Sequence, residues 1–293
     1  MAPDETVLVT AWASGYYIVG VEAVPGDNVE ITLHYHTAED NPDYQWLPSQ
    51  FYSGEGENQG CAECHSAMNT DLDFMLPVDE WLLDAHSQST ANQRFLTMYT
   101  GRDVFGNQSP LTRYGYTRDY GAFPLRPDLS QPYFGPGYQL DFPYTAGNCA
   151  TCHVPAQAAK PGKAYAADPN QAAGIETEGV FCEFCHKIGD VTLDPETSLP
   201  YPNRPGVLSM RLYRSEGEDV LFFGSFDDVT RRVSYLPLEE ESAFCAPSHF
   251  GVFWDTVIYH SYGEWLRSSY SDSDTGQTCQ DCHMPVTDDT HFV

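Results

Sequence analysis

The first part of the chain alternates hydrophobic and polar residues in a way that predicts β-strands. Three runs rich in β-branched and aromatic residues are separated by turn-forming residues, at 7–12, 16–24 and 29–36. In the third run the polar positions include His34 and His36, which a strand would place on the same face. We predict a small β-rich segment at residues 1–58, followed by a second domain at residues 59–293.

Hydrophobic residues recur at helical spacing in two later stretches. The first extends from Val78 to about Tyr99, and His86 lies at the edge of its apolar stripe. The second extends from Trp254 to Trp265, where the apolar residues share one side and His260 points away from them. Both stretches are predicted as amphipathic helices.

The remaining sequence shows little periodicity. Residues 101–148 are rich in Gly, Pro, Tyr and Asp and are predicted as ordered loop, and residues 154–174 as a linker or exposed excursion. Three short runs predict a β-hairpin or meander, at 207–213, 220–223 and 229–236. The expected fold class is mostly irregular and loop-rich, with a few α-helices and a small N-terminal β element.

The charge distribution is strongly acidic. The formal net charge is −28, and residues 1–93 contain sixteen Asp and Glu but no Lys or Arg. Such a field repels nucleic acid and anionic membrane surfaces, and it favours basic partner proteins, cations or simple solubility. Aromatic residues make up 14% of the chain, with 19 Tyr and 16 Phe, and flat rings of this kind suit the walls of porphyrin pockets.

Four copies of the spacing C-x-x-C-H interrupt the chain. They are Cys61, Cys64 and His65; Cys149, Cys152 and His153; Cys182, Cys185 and His186; and Cys279, Cys282 and His283. Two thiols about one helical turn apart can form thioethers to the two vinyl groups of one porphyrin, and the adjacent imidazole can ligate its iron. Four c-type haems are therefore expected. With the haems included, the second domain is predicted to be a multihaem domain in which the helices pack around stacked haems.

Zinc sites and disulfides are the alternatives for these cysteines. Paired C-x-x-C units form zinc ribbons, and nine cysteines in a secreted chain can pair as disulfides. Neither alternative requires a histidine directly after the second cysteine in every copy. The pattern favours haem.

A fifth, degenerate copy contains the ninth cysteine. Cys245 and His249 keep the register of the motif, while Ser248 replaces its second cysteine. A single thioether through Cys245 with His249 on the iron predicts a fifth haem here. The alternative is a free buried cysteine beside an unrelated histidine.

Five haems with two histidines each would use all ten histidines of the chain. The residues then left as distal ligands are His34, His36, His86, His260 and His291. Methionine is the alternative sixth ligand and raises the reduction potential relative to bis-histidine ligation; the candidates are Met68, Met98 and Met210. The sequence does not show which of these ligands belongs to which haem.

Thioether attachment of haem takes place outside the cytoplasm, so an extracytoplasmic protein is expected, in the periplasm, at the cell surface or outside the cell. The N-terminus shows no signal peptide, since it is acidic where a basic region is expected. The most apolar run, residues 6–21, is too short and too polar for a membrane span, and no transmembrane segment is predicted. Calcium at Asp272 and Asp274 is a weak further possibility.

Several of these stretches resemble multihaem c-type cytochromes of the cytochrome c554 and hydroxylamine oxidoreductase-like superfamily. The resemblance lies in residues 81–86 (WLLDAH), 148–153 (NCATCH) and 278–285 (TCQDCHMP), and it extends over about residues 59–293. It implies that His86, on a helix before the next haem motif, supplies a distal ligand. The equivalent stretch at residues 264–266 is followed by Tyr270 instead of histidine, so one distal ligand is missing from the pattern.

Electron transfer is the function that these features predict, because several haems on a short chain lie close enough for tunnelling. His34 and His36 also suggest an extracellular conduit in which subunits stack end to end, as in cytochrome filaments. The alternatives are a haem enzyme acting on a small nitrogen or sulfur compound, and an electron-donating subunit of a larger redox complex. No C-x-x-C-K motif is present, so the lysine-ligated catalytic haem of the pentahaem nitrite reductases is not expected here.

Overall fold

The computed structural model describes residues 5–50, 60–69, 73–215, 220–228, 233–253 and 255–285. Its contacts divide the chain into two compact units, one formed by residues 1–83 with 181–293 and the other by residues 84–180. The predicted boundary between residues 58 and 59 falls in the range 51–59, outside the described residues, and stays a prediction. The fold is a mixture of short helices and small sheets, and most of the chain is loop.

The regular elements are short throughout the described ranges. The α-helices are α1 (Ala62–His65), α2 (Pro77–Leu83), α3 (Gln93–Thr100), α4 (Tyr138–Asp141), α5 (Ala150–His153), α6 (Pro155–Ala158), α7 (Cys182–His186), α8 (Ala246–His249), α9 (Ser261–Leu266) and α10 (Cys279–His283). The strands are β1 (Val7–Ala11), β2 (Val19–Ala23), β3 (Tyr114–Thr117), β4 (Gly121–Pro124), β5 (Ile188–Val191), β6 (Met210–Leu212), β7 (Phe222–Gly224), β8 (Val233–Tyr235), β9 (Gly251–Phe253) and β10 (Thr256–Tyr259). Each sheet has two strands. Single 3-10 turns occur at Ala67–Asn69, Pro169–Gln171, Gly174–Glu178, Gly206–Ser209, Pro237–Glu240, Ser242–Cys245 and Ser269–Ser271.

The N-terminal β element is a hairpin, and the prediction of a third strand at 29–36 is wrong. Strands β1 and β2 pair antiparallel, with Val9 opposite Val21. The third run touches the hairpin loop only at its end, where Tyr17 N donates to His34 O and His36 N donates to Gly15 O. Residues 28–33 find no backbone partner in the described chain, so their alternating pattern does not produce a strand.

The helix predicted from Val78 to Tyr99 is wrong in its middle. It separates into α2 and α3 because side chains in between capture the backbone. Asp84 Oδ1 accepts from the backbone N–H of His86 at 2.7 Å, and Asn92 caps α3 by accepting from Phe95 N at 3.0 Å. Helix α3 then ends at Gly101, whose φ of 69° is left-handed.

The helix predicted from Trp254 to Trp265 is wrong in its first half, and Trp254 itself lies outside the described residues. Residues 256–259 form β10, which pairs antiparallel with β9, and only Ser261–Leu266 is helical. A run of β-branched residues favours the strand, and Asp255, with a φ of 61°, makes the tight turn between β9 and β10.

The remaining sequence predictions are partly corrected. The predicted exposed linker contains α6, where Pro155, Ala156 and Ala158 are buried, although residues 160–163 are exposed. The predicted meander does not form, since β6 pairs with β5 and β7 pairs with β8 in parallel. Residues 101–148 are mainly loop but contain the β3–β4 hairpin and α4.

Aromatic side chains form much of the interior of each unit. In the first unit Trp46 packs edge-on against Phe181, with ring centroids 5.2 Å apart, and Phe250 and Tyr262 form a second cluster with Ala246. In the second unit Phe95 and Tyr99 are buried. Within the described ranges, no helix has the length and hydrophobicity that crossing a membrane requires.

Candidate haem-binding sites

All four C-x-x-C-H copies adopt the same local structure. Each forms a single helical turn that ends at its histidine, in α1, α5, α7 and α10. Residues three apart on a helix lie on one face, so each pair of thiols can reach the same ligand. None of the nine cysteines, all of which lie in described ranges, is joined in a disulfide.

The histidine of the second motif is held by ring stacking and a hydrogen bond. The His153 ring lies parallel to that of Phe95, with centroids 3.8 Å apart and planes inclined by 1°. Its Nδ1 lies 3.2 Å from the carbonyl oxygen of Ser89. A carbonyl can only accept, so Nδ1 carries the proton and Nε2 is the nitrogen with a lone pair for a metal. Burial lowers the pKa of His153, which keeps the imidazole neutral.

The histidine of the third motif shows the same arrangement. His186 Nδ1 lies 2.6 Å from the carbonyl oxygen of Phe223. The donation again assigns the proton to Nδ1 and the lone pair to Nε2. The Glu239 carboxylate lies 3.9 Å from the same ring nitrogen, and burial raises the pKa of Glu239.

A fully buried ion pair flanks the third motif. Glu183 and Lys187 lie one helical turn apart with 3.6 Å between carboxylate and ammonium. Glu183 also accepts from the Tyr44 hydroxyl at 2.5 Å and from Leu47 N. Lys187 donates to Leu221 O, and burial lowers its pKa to about 8. The pair therefore ties the motif helix to the chain around residues 44–47 and to Leu221.

The first motif is fixed on both sides. Asp79, at the start of α2, accepts from Ser66 Oγ at 2.7 Å and Ala67 N at 2.8 Å, directly after His65. Before the motif, buried Ser49 accepts from Ala62 N through its carbonyl at 3.0 Å. The Ser49 hydroxyl accepts from Cys182 N at 3.2 Å, so one serine joins the first motif to the third.

The degenerate copy keeps the geometry of the complete ones. Cys245 precedes the single turn of α8, which ends at His249, as Cys61 precedes α1. The Cys245 thiol lies beside the Cys279 thiol, and their interaction raises the pKa of Cys245 and lowers that of Cys279 to about 6. Cys279 N also donates to Ser242 Oγ at 2.8 Å, so the fourth motif and the degenerate copy are neighbours.

The two N-terminal histidines have different surroundings, and the prediction that they share one face stays a prediction. His36 is only 4% exposed and lies among Tyr17, Tyr213 and Phe223. Its Nδ1 lies 3.1 Å from the carbonyl oxygen of Thr37, so Nδ1 carries the proton and Nε2 keeps the lone pair. His34 is exposed.

The other candidate distal ligands, His86 and His260, differ in the hydrogen bonds that their Nδ1 atoms make. His86 Nδ1 lies 2.6 Å from Asp84 Oδ1, a carboxylate–histidine contact that orients a metal-ligating ring. His260 Nδ1 lies 3.3 Å from an Arg267 nitrogen. A guanidinium nitrogen can only donate, so His260 Nδ1 accepts and the proton of this imidazole is on Nε2. His291 lies outside the described residues.

Methionine and calcium remain predictions. Met68 is 90% exposed and Met98 is half exposed, while Met210 is partly buried. Asp272 accepts from Asp274 N at 3.0 Å and from Thr275 N at 2.9 Å, so its carboxylate closes a turn. In the described part of the chain, no group of three or more His, Cys, Asp and Glu is arranged to hold a metal ion.

The donor set fits a haem. A porphyrin supplies four nitrogens to its iron, so a protein needs to add only one or two axial side chains and, for a c-type haem, the thiols. Comparison with protein-family models, curated proteins and solved structures finds no match to this chain. The resemblance to multihaem cytochromes therefore stays a prediction from the motifs.

Sequence reasoning missed the residues that hold the motifs in place. Glu183 and Lys187 carried a usable signal, because opposite charges four apart within a largely apolar motif suggest a buried pair. Ser49 and Phe95 carried no such signal, since each acts on a motif far away in the sequence.

Proposed function

We propose that this chain binds four c-type haems through its C-x-x-C-H motifs and transfers electrons between them. The observation that carries the proposal is the tautomer of the motif histidines. His153 and His186 both donate from Nδ1 to a backbone carbonyl, which directs the Nε2 lone pair toward a ligand. A zinc ribbon would use the thiolates as its main ligands and would not require this arrangement.

The axial ligands on the motif side are then His65, His153, His186 and His283. On the other side we assign His36 and His86 as distal ligands, because an oxygen acceptor orients each ring through Nδ1. His260 is left out, since Arg267 fixes the opposite tautomer. His34 and His291 complete the histidines from which the other distal ligands come, and Met68, Met98 and Met210 are the alternative sixth ligands.

A fifth haem is proposed at Cys245 and His249. The helical turn is the same as in the complete motifs, and Ser248 removes only one of the two thioethers. The contact between Cys245 and Cys279 makes this haem a close neighbour of the fourth one. Bound haem supplies a one-electron iron centre, and the role of the chain is to hold the rings close and tune each potential.

The chain's charge bears on potential and partners. A net charge of −28 favours the oxidised, more positive iron and so lowers reduction potentials. The same charge favours redox partners with a basic surface. Because thioether attachment takes place outside the cytoplasm, we propose that the protein is an extracytoplasmic electron carrier. We further propose that its subunits stack end to end into an electron conduit.

The decisive experiment is the intact mass of the denatured holoprotein, expressed with a haem-attachment system. Covalent haem survives denaturation, so the mass should exceed that of the polypeptide by four or five haems. The Cys279→Ser/Cys282→Ser variant should lose one covalent haem. A holoprotein without any haem mass, or with zinc in its place, would overturn the proposal.

The spectrum separates electron transfer from catalysis. Two axial ligands on every iron, histidine or methionine, predict wholly low-spin haems whose spectra do not change on addition of nitrite or hydroxylamine. A high-spin fraction that shifts with either compound would favour the enzyme alternative instead.

A further inference from the structure

The β3–β4 hairpin of the second unit is exposed along its length. Tyr116 is 77% and Tyr120 is 86% exposed, and Tyr114 and Phe123 add further aromatic surface. The hairpin is a sheet of two strands only, so the outer edge of β3 has no partner in the described chain. Pro124 has no backbone N–H to donate, so β4 is the poorer edge for pairing and β3 the better one.

The hairpin is also basic in a very acidic protein. Arg113 and Arg118 flank β3 at its two ends, and residues 113–126 contain three Arg and one Asp. Residues 84–180 as a whole carry seven basic and eight acidic side chains, whereas the other unit carries seven basic and 34 acidic ones. Residues 84–180 are thus close to neutral overall, and it is the basic hairpin that is complementary in charge to the acidic unit of another copy.

A matching segment lies in the acidic unit. Residues 28–33 belong to no helix, turn or strand, make no backbone hydrogen bond in the described chain, and alternate half-buried Val29, Ile31 and Leu33 with exposed residues, as an extended backbone does. Asp27 and Glu30 are exposed acids in or beside this segment. An extended segment without a partner can add as a strand to an open sheet edge.

We propose that residues 28–33 of one copy pair with the outer edge of β3 in a second copy. The backbone supplies the ladder, and Arg113 and Arg118 of one copy face Asp27 and Glu30 of the other. Because the two surfaces differ, the contact is heterologous and continues from copy to copy unless a ring closes. Exposed His34 then lies next to the junction. A role for His34 as a haem ligand at the junction rests on the proposed function, whereas the contact itself does not.

The test uses reciprocal charge reversal in the holoprotein. Arg113→Glu/Arg118→Glu should lower the weight-average mass in sedimentation at low salt to that of a monomer, and Asp27→Arg/Glu30→Arg should do the same. Mixing the two variants restores complementary contacts at every junction, so assembly should return. The matched control, Arg94→Glu/Lys163→Glu, makes the same change in charge outside residues 113–126 and should assemble like the parent.

Several results would overturn this contact. They are a parent protein that is monomeric at all concentrations at low salt, a control that disrupts assembly equally, or a mixture that fails to reassemble. Circular dichroism checks that each variant is folded. Haem mass, measured on the same samples, separates the two proposals. A parent protein without covalent haem counts against the proposed function. Loss of assembly in a variant that keeps all its haems bears on the contact alone.

Discussion

Phe95 lies flat against the imidazole of His153, with ring centroids 3.8 Å apart and planes inclined by 1°. The two residues belong to different helices, α3 and α5. Stacking fixes the plane of the imidazole, while the hydrogen bond from Nδ1 to Ser89 O fixes its rotation about the ring axis. Together these contacts set the orientation of the imidazole that the proposed ligation of a haem iron requires.

Replacing Phe95 by Leu should change the second haem without removing it. We expect a loss of about 1 kcal/mol in the free energy of unfolding, from the altered packing and lost stacking. The haem count by intact mass should stay the same, while the low-spin electron paramagnetic resonance signal of one haem shifts. Phe142→Leu, at a half-exposed position of the same unit, is the control and should leave the signal in place.

The buried pair of Glu183 and Lys187 should behave as one unit in a double-mutant cycle. Replacing either residue, as Glu183→Gln or Lys187→Met, leaves one buried charge without its partner and should cost about 3–5 kcal/mol of unfolding free energy. The double variant should recover much of that loss, because both buried charges are gone. Additive losses in denaturant unfolding would show that the two side chains act independently.

The sequence allowed prediction of the motifs but not of the elements that surround them. A five-residue motif contains its own helical turn and all its donors, so α7 and α10 follow from local sequence alone. The extended helix at 78–99 failed because Asp84 and Asn92 compete for backbone donors, an effect that apolar periodicity does not register.

Long-range contacts account for the other differences. The alternation at 29–36 is that of a strand, yet a strand also requires a neighbour, and the part of the chain that the structure describes supplies none for residues 28–33. The role of Ser49 could not be predicted, since it accepts from Cys182 across more than 130 positions. His260 was separated from the other candidates only by the position of Arg267.

Asp79 should make stability depend on acid pH. Its partial burial acts to raise the pKa, but hydrogen bonds from Ala67 N, Ser66 Oγ and Leu76 N outweigh this and lower it. A carboxyl with a lowered folded pKa stabilises the fold above its unfolded pKa of about 3.9, and this contribution is lost as pH falls through the folded pKa. Asp79→Asn should flatten that acid limb in thermal melts, and the exposed Asp119→Asn serves as control. Equal slopes in parent and Asp79→Asn would contradict the assignment.

Distal ligation by His36 and His86 should be visible one haem at a time. His36→Ala and His86→Ala should each convert one low-spin haem to a high-spin form, because each removes one axial nitrogen, and added imidazole should reverse the change. His260→Ala should leave the spectrum as in the parent, since Arg267 holds its ring in the other tautomer. A high-spin haem in His260→Ala, or none in His36→Ala, would reverse the ligand assignment.

Cys245 provides the test of the fifth haem. If its single thioether exists, Cys245→Ser should reduce the intact mass of the denatured protein by one haem, because Ser248 offers no second attachment point. Ser248→Cys should keep that haem and complete the motif with two thioethers. The same mass increment in the parent and in Cys245→Ser would instead leave Cys245 as a thiol beside Cys279, and His249 would then become available as a distal ligand. Thiol labelling of the denatured parent distinguishes the two cases, since only a free Cys245 reacts.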